Sequence, residues 1–351
     1  MNAKESILAR LARVPILQAP MAGVATPALA AAVSNAGAIG GLGIGASSVD
    51  QARAMIRDTK ALTGEPFNVN VFCHQPEKPD EAREQAWLKH LAPLFAEHGG
   101  QPLTQLREIY KSFIVDDEAF DMLLQERPAV VSFHFGLPSR EHIKALRDAG
   151  MVTMATATSV REAASIEQAG VDFIVAQGVE AGGHRGVFDA ESKEDERFST
   201  SVLVRLLVKA SRLPVIAAGG IMDGQGVKAA LDLGAVAGQL GTAFILCPES
   251  AASPAYRTLL RSERAGHTRL TSALSGRLAR GIVTRLFTHG DAPGSPRPAG
   301  YPMAYDAAKQ LHALAAKAGV DEFGAYWAGQ GAGMAREMGA GELVGVLNGE
   351  M

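Results

Sequence analysis

The stretch Asp172-Phe173-Ile174-Val175-Ala176-Gln177 runs straight into Gly178-Val179-Glu180-Ala181-Gly182-Gly183-His184-Arg185-Gly186. Its first half is a short apolar run that reads as a buried strand, and its second half is a loop of glycines with one acid, one histidine and one arginine. Glycine lets the backbone take positive φ and come close to a ligand, and histidine is the side chain whose charge changes near neutral pH. An ordinary glycine-rich turn with a surface histidine has the same composition. The loop therefore gains meaning from where the rest of the chain places it.

Runs of the same kind recur on both sides: Val14 to Ala19, Ala38 to Leu42, Phe67 to Phe72, Ala129 to His134, Val152 to Thr156, Pro214 to Ala218 and Ala235 to Leu240. Helical patterns separate them, which is the signature of a parallel sheet wound by helices. With Asp172 to Gln177 there are eight such units in about 240 residues, the count and size of a TIM (β/α)8 barrel rather than of an open doubly wound sheet. Several runs end in small or polar residues, among them Gln18-Ala19-Pro20-Met21, Asn68-Val69-Asn70, Ser132-Phe133-His134-Phe135, Ala218-Gly219-Gly220 and Gln239-Leu240-Gly241-Thr242. A barrel gathers these ends at one face, where such enzymes keep their active sites.

Two connections exceed a simple βα unit. Residues from about 74 to 127 carry helical patterns at Asp80 to Leu88 and Glu118 to Leu124 and read as an excursion packed on the barrel. The segment Asp189 to Arg197 reads as a solvated charged loop before a helix at about Ser201 to Ala210. Beyond Phe244 the pattern turns mainly helical, at Ser253 to Arg264, Ala307 to Ala316 and about Tyr326 to Met338. The expected organisation is a barrel over 1–248 and a C-terminal region over 249–351.

The 351 residues are 47% hydrophobic, enough for a sizeable core. A net charge of -3, from 34 scattered basic and 37 acidic residues, argues against a nucleic-acid partner. Cys73 and Cys247 stand alone, outside metal-ligand spacing, and read as buried thiols, so no metal is expected. The segment Met1 to Arg10 is mixed in charge, and no run of about 18 apolar residues occurs, so neither export nor a membrane span is expected and the reading is cytoplasmic.

The loops after the seventh and eighth barrel strands are where many TIM barrels bind phosphate through backbone N–H groups. Gly219, Gly220, Gly241 and Thr242 suit that task; tight strand-to-helix turning without a ligand is the alternative. A ligand held there would extend past Gln18-Ala19-Pro20-Met21, Asn70 and Gln177, a set with donors and acceptors suited to a heteroaromatic ring edge. The segment Gly37 to Gly43 has the glycines of a dinucleotide loop but lies within a strand, and no G-x-x-x-x-G-K-[ST] loop occurs.

With these residues assembled, the sequence resembles the nitronate monooxygenases, formerly called 2-nitropropane dioxygenases, and most of all their bacterial class I members. The matching motifs are Gln18 to Val24, Phe67 to Asn70, Ser132 to Gly136, Ala176 to Gly186, Ala217 to Gly224, Gln239 to Phe244 and Tyr301-Pro302-Met303-Ala304-Tyr305-Asp306. FMN-dependent enoyl-acyl-carrier-protein reductases are similar at Glu180 to His184, whereas Ser132 to Gly136 and the tail tyrosines favour class I. The resemblance implies one non-covalent FMN, held by Pro20, Met21, Asn70, Gln177, Gly182, Gly183, Gly219, Gly220, Gln239, Leu240, Gly241 and Thr242. It implies a substrate pocket lined by His184, His134, Tyr301, Tyr305 and Lys309, with His184 first and His134 second as candidate base. The implied activity is oxidation of alkyl nitronates, of the propionate 3-nitronate class, by O₂ to a carbonyl compound plus nitrite or nitrate, in a monomer or homodimer. An NAD(P)H-dependent FMN reductase of quinones or enoyl thioesters and a non-catalytic phosphate-ligand barrel are the rival readings. Glu180 has three open roles: ring-edge acceptor, partner of Arg185, or loop brace.

Overall fold

The computed structural model describes Leu8, residues 10–191 and residues 195–351. Most of the segment Met1 to Arg10 and the centre of the charged loop, residues 192–194, lie outside the described residues. The strands are β1 (Ile16–Gln18), β2 (Gly40–Gly43), β3 (Phe67–Phe72), β4 (Val130–His134), β5 (Val152–Ala157), β6 (Phe173–Gln177), β7 (Gly183–His184), β8 (Val215–Ala218), β9 (Ala237–Leu240), β10 (Thr268–Thr271) and β11 (Ala279–Ile282). The α-helices are α1 (Pro27–Asn35), α2 (Val49–Leu62), α3 (Glu81–Glu97), α4 (Asp117–Glu126), α5 (Arg140–Asp148), α6 (Val160–Ala169), α7 (Thr200–Ala210), α8 (Gly224–Asp232), α9 (Pro254–Arg261), α10 (Arg285–Gly290), α11 (Met303–Lys317) and α12 (Ala340–Glu350).

Eight parallel strands follow the order β1-β9-β8-β6-β5-β4-β3-β2. The ring closes where Gln18 N–H donates to the Ile39 carbonyl at 2.9 Å and Ile39 N–H to that of Ile16 at 3.1 Å, so the fold is the expected TIM barrel. Gly40 permits the close approach of α1, since a Cβ there would lie 2.0 Å from the Ala30 carbonyl oxygen. The segment Gly37 to Gly43 is thus strand and closure.

Strand alternation sorts the core into two layers. Leu17, Ile39, Val130, Met154, Phe173, Val175, Ile216 and Ala237 fill the barrel interior, joined by Leu8. Their neighbours Ile16, Val131, Ala155, Ile174, Ala176, Val215, Ala217 and Leu240 face the helices. The helices start on side-chain caps: Ser48 and Gln51 form a capping box on α2, and Ser159 and Ser199 cap α6 and α7. The same parity brings Asn70, Ser132, Gln177 and Gln239 to the interior at the open end. No described helix is long and apolar enough to cross a membrane.

Two expectations about the long segments change. The excursion packs on the barrel through its second half, where Phe113 joins the barrel core and α4 lies against α2 and α5. Helix α3 instead joins the C-terminal region, where Trp87, Leu88, Leu91 and Phe95 share a core with Leu286, Phe287, Ala304, Leu311 and Phe323. Burying such side chains stabilises each by about 1.5–3 kcal/mol, and the fully buried Trp87 anchors the second core. The helix expected at about Tyr326 to Met338 is absent: that segment holds only a 3-10 turn at Ala332–Met334. Gly329, Gly331 and Gly333 disfavour helix there, and a Cβ on Gly329 would lie 2.8 Å from the Glu180 carbonyl oxygen. The last helix is α12, whose Ala340, Leu343, Val344 and Leu347 repeat at helical spacing and pack it on α1 and α8 of the barrel. The C-terminal region also contributes β10 and β11, which pair antiparallel with each other and, through β11, with β7.

Candidate active site

The strand ends open into one cavity of about 460 Å³. Among its lining residues are Pro20, Met21, Asn70, His134, Gln177, Gly182, Gly183, His184, Gly219, Gly220, Gln239, Gly241, Thr242, Tyr301, Tyr305 and Lys309. Leu240 is the exception among the expected residues. Strand alternation turns it to the helix side, 1% exposed, and only its backbone serves the site, accepting from Ala19 N–H at 2.8 Å.

At one end the wall is backbone. Gly219 and Gly220 have φ of +124° and +72°, values that an L side chain strains to adopt. Among the described residues, the amide groups of Gly219, Gly220 and Gly241 donate to no carbonyl, leaving donors for an anionic group. Thr242 adds a hydroxyl that accepts from Gly329 N–H at 3.0 Å and keeps its own proton to donate. Glu180 braces this end: its carboxylate accepts from Thr200 N–H at 2.8 Å and lies 2.9 Å from the Thr200 hydroxyl, which is also 2.9 Å from the Gly219 carbonyl oxygen. These bonds give Glu180 the part of loop brace. Arg185 pairs instead with Asp195, by two bonds of 2.8 and 3.0 Å, and caps the Gln177 carbonyl at 2.8 Å.

The middle is amide. Asn70 donates to the Ser132 carbonyl and hydroxyl at 3.1 and 2.9 Å, which leaves its own oxygen free. Gln177 donates to the His184 carbonyl at 2.9 Å and accepts from Gly186 N–H at 2.7 Å. It therefore holds the loop that follows its strand, with one amide hydrogen to spare.

The other end is rings and charge. His134 Nε2 donates to the His184 carbonyl at 3.3 Å, so its Nδ1 accepts from the Thr156 hydroxyl at 3.0 Å. Both nitrogens are occupied, which makes it a poor candidate base. His184 differs. Its Nε2 meets Ser275 Oγ at 2.8 Å, and that hydroxyl donates its own proton to the Arg277 carbonyl at 3.1 Å. His184 must then be the donor, which leaves Nδ1 unprotonated with its lone pair free. Burial, helped by His134, Arg277 and His74, lowers its pKa to about 3; burial lowers that of His134 to about 4. Both are neutral at physiological pH.

Around His184 stand Tyr301, Tyr305 and Trp327, with ring centroids 5.6, 6.2 and 5.2 Å away. Lys309 Nζ sits 4.9 and 5.2 Å from the Tyr110 and Tyr305 ring centroids. Desolvation lowers its pKa, opposed by the Asp306 charge. Asp306 itself is taken by Arg107 N–H and the Gln310 amide. The result is an aromatic cage around a cation with no ion-pair partner among the described residues.

Tyr110, Trp327, Ser275 and Phe135 belong to this site without having been singled out from sequence. Tyr110 comes from the excursion, in a segment with no periodic pattern, and Trp327 from the glycine-rich segment misread as helix. Phe135 lay inside a quoted motif. Ser275 sits in a turn that carries no signal.

A closed eight-stranded barrel whose strand ends meet in one cavity, with free backbone donors at one end and a neutral histidine and lone cation at the other, is a TIM-barrel enzyme for a small-molecule substrate. Comparison narrows the class. The chain matches the family model described as nitronate monooxygenase over residues 5–350. It is 55% identical over 333 residues to a nitronate monooxygenase of Pseudomonas aeruginosa, covering 95% of each chain. It is 56% identical over 337 residues to one of Paraburkholderia phytofirmans, covering 96% of this chain and 92% of that one. Among solved structures it is similar to nitroalkane oxidase from Streptomyces ansochromogenes, with a TM-score of 0.91 and 41% identity over 98% of this chain and 97% of that one. FabK from Thermotoga maritima is more distant, with a TM-score of 0.74 and 28% identity over 100% of this chain and 96% of that one. The chain belongs to the nitronate monooxygenase family and is an oxidoreductase, and the family supports oxidation of nitronates.

Proposed function

We propose that the chain uses one non-covalent FMN to oxidise alkyl nitronates that carry a second anionic group, the propionate 3-nitronate class, with O₂. The products are a carbonyl compound and nitrite or nitrate, and no NAD(P)H is consumed. The observation that carries this reading is the pairing, in one cavity, of unused backbone donors at Gly219, Gly220 and Gly241 with a cation, Lys309, that has only tyrosine rings for company.

The residues fit FMN. A phosphate suits the glycine amides and the Thr242 hydroxyl, and the Asn70 oxygen and spare Gln177 hydrogen suit the edge of a heteroaromatic ring. Pro20, Met21, Gly182, Gly183 and Gln239 complete the cradle. When bound, FMN supplies an acceptor for one electron from an electron-rich nitronate.

The chain's own residues do the rest. Lys309, caged by Tyr110 and Tyr305, binds the second anionic group. Tyr301 and Trp327 close the walls and keep water from the reacting carbon. For a neutral nitroalkane, the Nδ1 lone pair of His184 removes the carbon-bound proton; the anion so formed raises the histidine's pKa and holds the proton there. We assign cofactor binding to residues 1–248, and the substrate side to 249–351 together with part of the 74–127 excursion and the loop after β6 that carries His184.

The likeness to FabK keeps one rival, an NAD(P)H-dependent FMN reductase of quinones or enoyl thioesters. The test is anaerobic. The purified protein should be yellow, release FMN on denaturation, and change its flavin spectrum with propionate 3-nitronate alone. A colourless protein that fails to bind added FMN would sink the flavoenzyme reading, and rapid bleaching by NADH or NADPH would favour the reductase.

A further inference from the structure

Arg277 has no place in the chemistry above, yet it is among the most deeply buried charges of the protein, 5% exposed. Its guanidinium carbon lies 4.3 Å over the Phe135 ring centroid and 6.0 Å from that of Tyr301. Both rings line the cavity, so the charge sits behind the substrate wall. One of its amines donates to the Val187 carbonyl, and its Nε has no partner among the described residues. The carboxylates of Asp189, Glu162 and Glu77 act on it only through space. Glu162 is engaged by the Thr158 and Phe188 amides, and Glu77 faces Arg83 at 3.5 Å.

Buried charges are normally paired, because an uncompensated one is costly to hold. Desolvation lowers the Arg277 pKa to about 10, which leaves the group charged at neutral pH. The same residue reaches His184 by a second route. Its N–H donates to Ser275 Oγ at 3.3 Å and its carbonyl accepts from that hydroxyl, which fixes the oxygen that receives His184 Nε2–H.

We propose that Arg277 is a positioning residue of the substrate side: its guanidinium is the fixed positive charge that draws anions into the cavity, and its backbone holds the Ser275 hydroxyl that keeps the His184 lone pair on Nδ1. The proposal rests on the reading of the substrate as an anion. It assigns anion preference to two cations, Lys309 as the direct contact and Arg277 as the field behind the ring wall.

Side-chain substitution separates the charge from the packing. Arg277→Met keeps an unbranched apolar stem beside Phe135 but removes the charge, Arg277→Lys keeps the charge but loses the planar stack, and neither touches the backbone route to Ser275. The protein as purified with its flavin is titrated with inorganic nitrite by calorimetry, without turnover. Arg277→Met should bind nitrite roughly tenfold more weakly, and Arg277→Lys should retain most of the affinity. In both variants ¹⁵N NMR should still find His184 protonated at Nε2. Arg277→Gln replaces the methionine variant if that does not fold. Equal nitrite affinity in the parent, Met and Lys proteins overturns the proposal, as does a Met variant that binds better than the Lys variant, the order expected of a packing residue. Absence of nitrite binding in the parent also overturns it, even if oxygen uptake with nitronate is intact. A charge-dependent nitrite affinity in a protein that fails to oxidise nitronates would strike only the functional reading.

Discussion

At one end of the cavity the donors are the amides of Gly219, Gly220 and Gly241 on loops of the barrel itself, locked by Glu180 and Thr200. At the other the working groups are the side chains of Tyr110, His184, Tyr301, Tyr305 and Lys309, assembled from the excursion, the loop after β6 and the C-terminal region. A backbone end tolerates any residue that keeps the chain's path. A side-chain end depends on which group stands at which position, and substitutions should therefore fail differently at the two ends.

The largest effect belongs to His184. Its replacement by Asn should lower kcat/KM for neutral nitroalkanes by about 10²–10⁴, the usual contribution of a positioned base, while preformed nitronates lose far less. Stopped-flow rates on the two substrate forms decide it. Equal losses would make His184 a stabiliser of charge and blur the distinction drawn for this end. Next, Lys309→Met should raise KM for a nitronate bearing a carboxylate roughly 10- to 100-fold, the worth of a charged hydrogen bond, and leave KM for a simple alkyl nitronate nearly unchanged. A uniform rise across both substrates would place the lysine outside the carboxylate contact.

The backbone end should answer in cofactor affinity. Gly219→Ala forces a Cβ to 2.8 Å from the Thr200 hydroxyl at a φ of +124°, a strain of about 1–3 kcal/mol. The FMN dissociation constant should rise by about tenfold, with KM for nitronate unaltered at saturating FMN. Unchanged FMN affinity would move the phosphate elsewhere. A separate effect falls on stability, not on binding or rate. His74, His134 and His184 are held neutral, with pKa values of about 4, 4 and 3, against about 6.5 in the unfolded chain. As pH falls from about 6.5 towards 4 the unfolded chain takes up protons that the folded one refuses. Each histidine should then remove about 1.4 kcal/mol of stability per pH unit. Denaturant midpoints at pH 7 and pH 5 measure this. His74→Phe should flatten the slope, and Gly219→Ala should not.

The same contrast explains what was legible in the sequence. Strands carry apolar runs and their ends carry small residues, so the eight units and the glycines of the backbone end stood out, and β3 appears with its expected limits. Leu240 shows the limit of reading motifs whole, since a period-two argument would have turned it outward. The substrate end was read through the family resemblance, and less completely. Tyr110 and Ser275 lie in irregular segments whose place is set by tertiary packing of α3 against the C-terminal core, which no local pattern encodes. The sequence reading places a helix at Tyr326 to Met338 despite the glycines there, whereas the repeat at Ala340, Leu343, Val344 and Leu347 marks the true helix.

The central claim is that the two ends together serve nitronate oxidation without nicotinamide, and oxygen uptake tests it most directly. Protein whose released flavin has been identified as FMN is supplied in separate runs with propionate 3-nitronate and with NADH. The expected result is rapid oxygen consumption with the nitronate, accompanied by nitrite or nitrate, and none above background with NADH. Uptake driven by NADH, with the nitronate inert, would contradict the account.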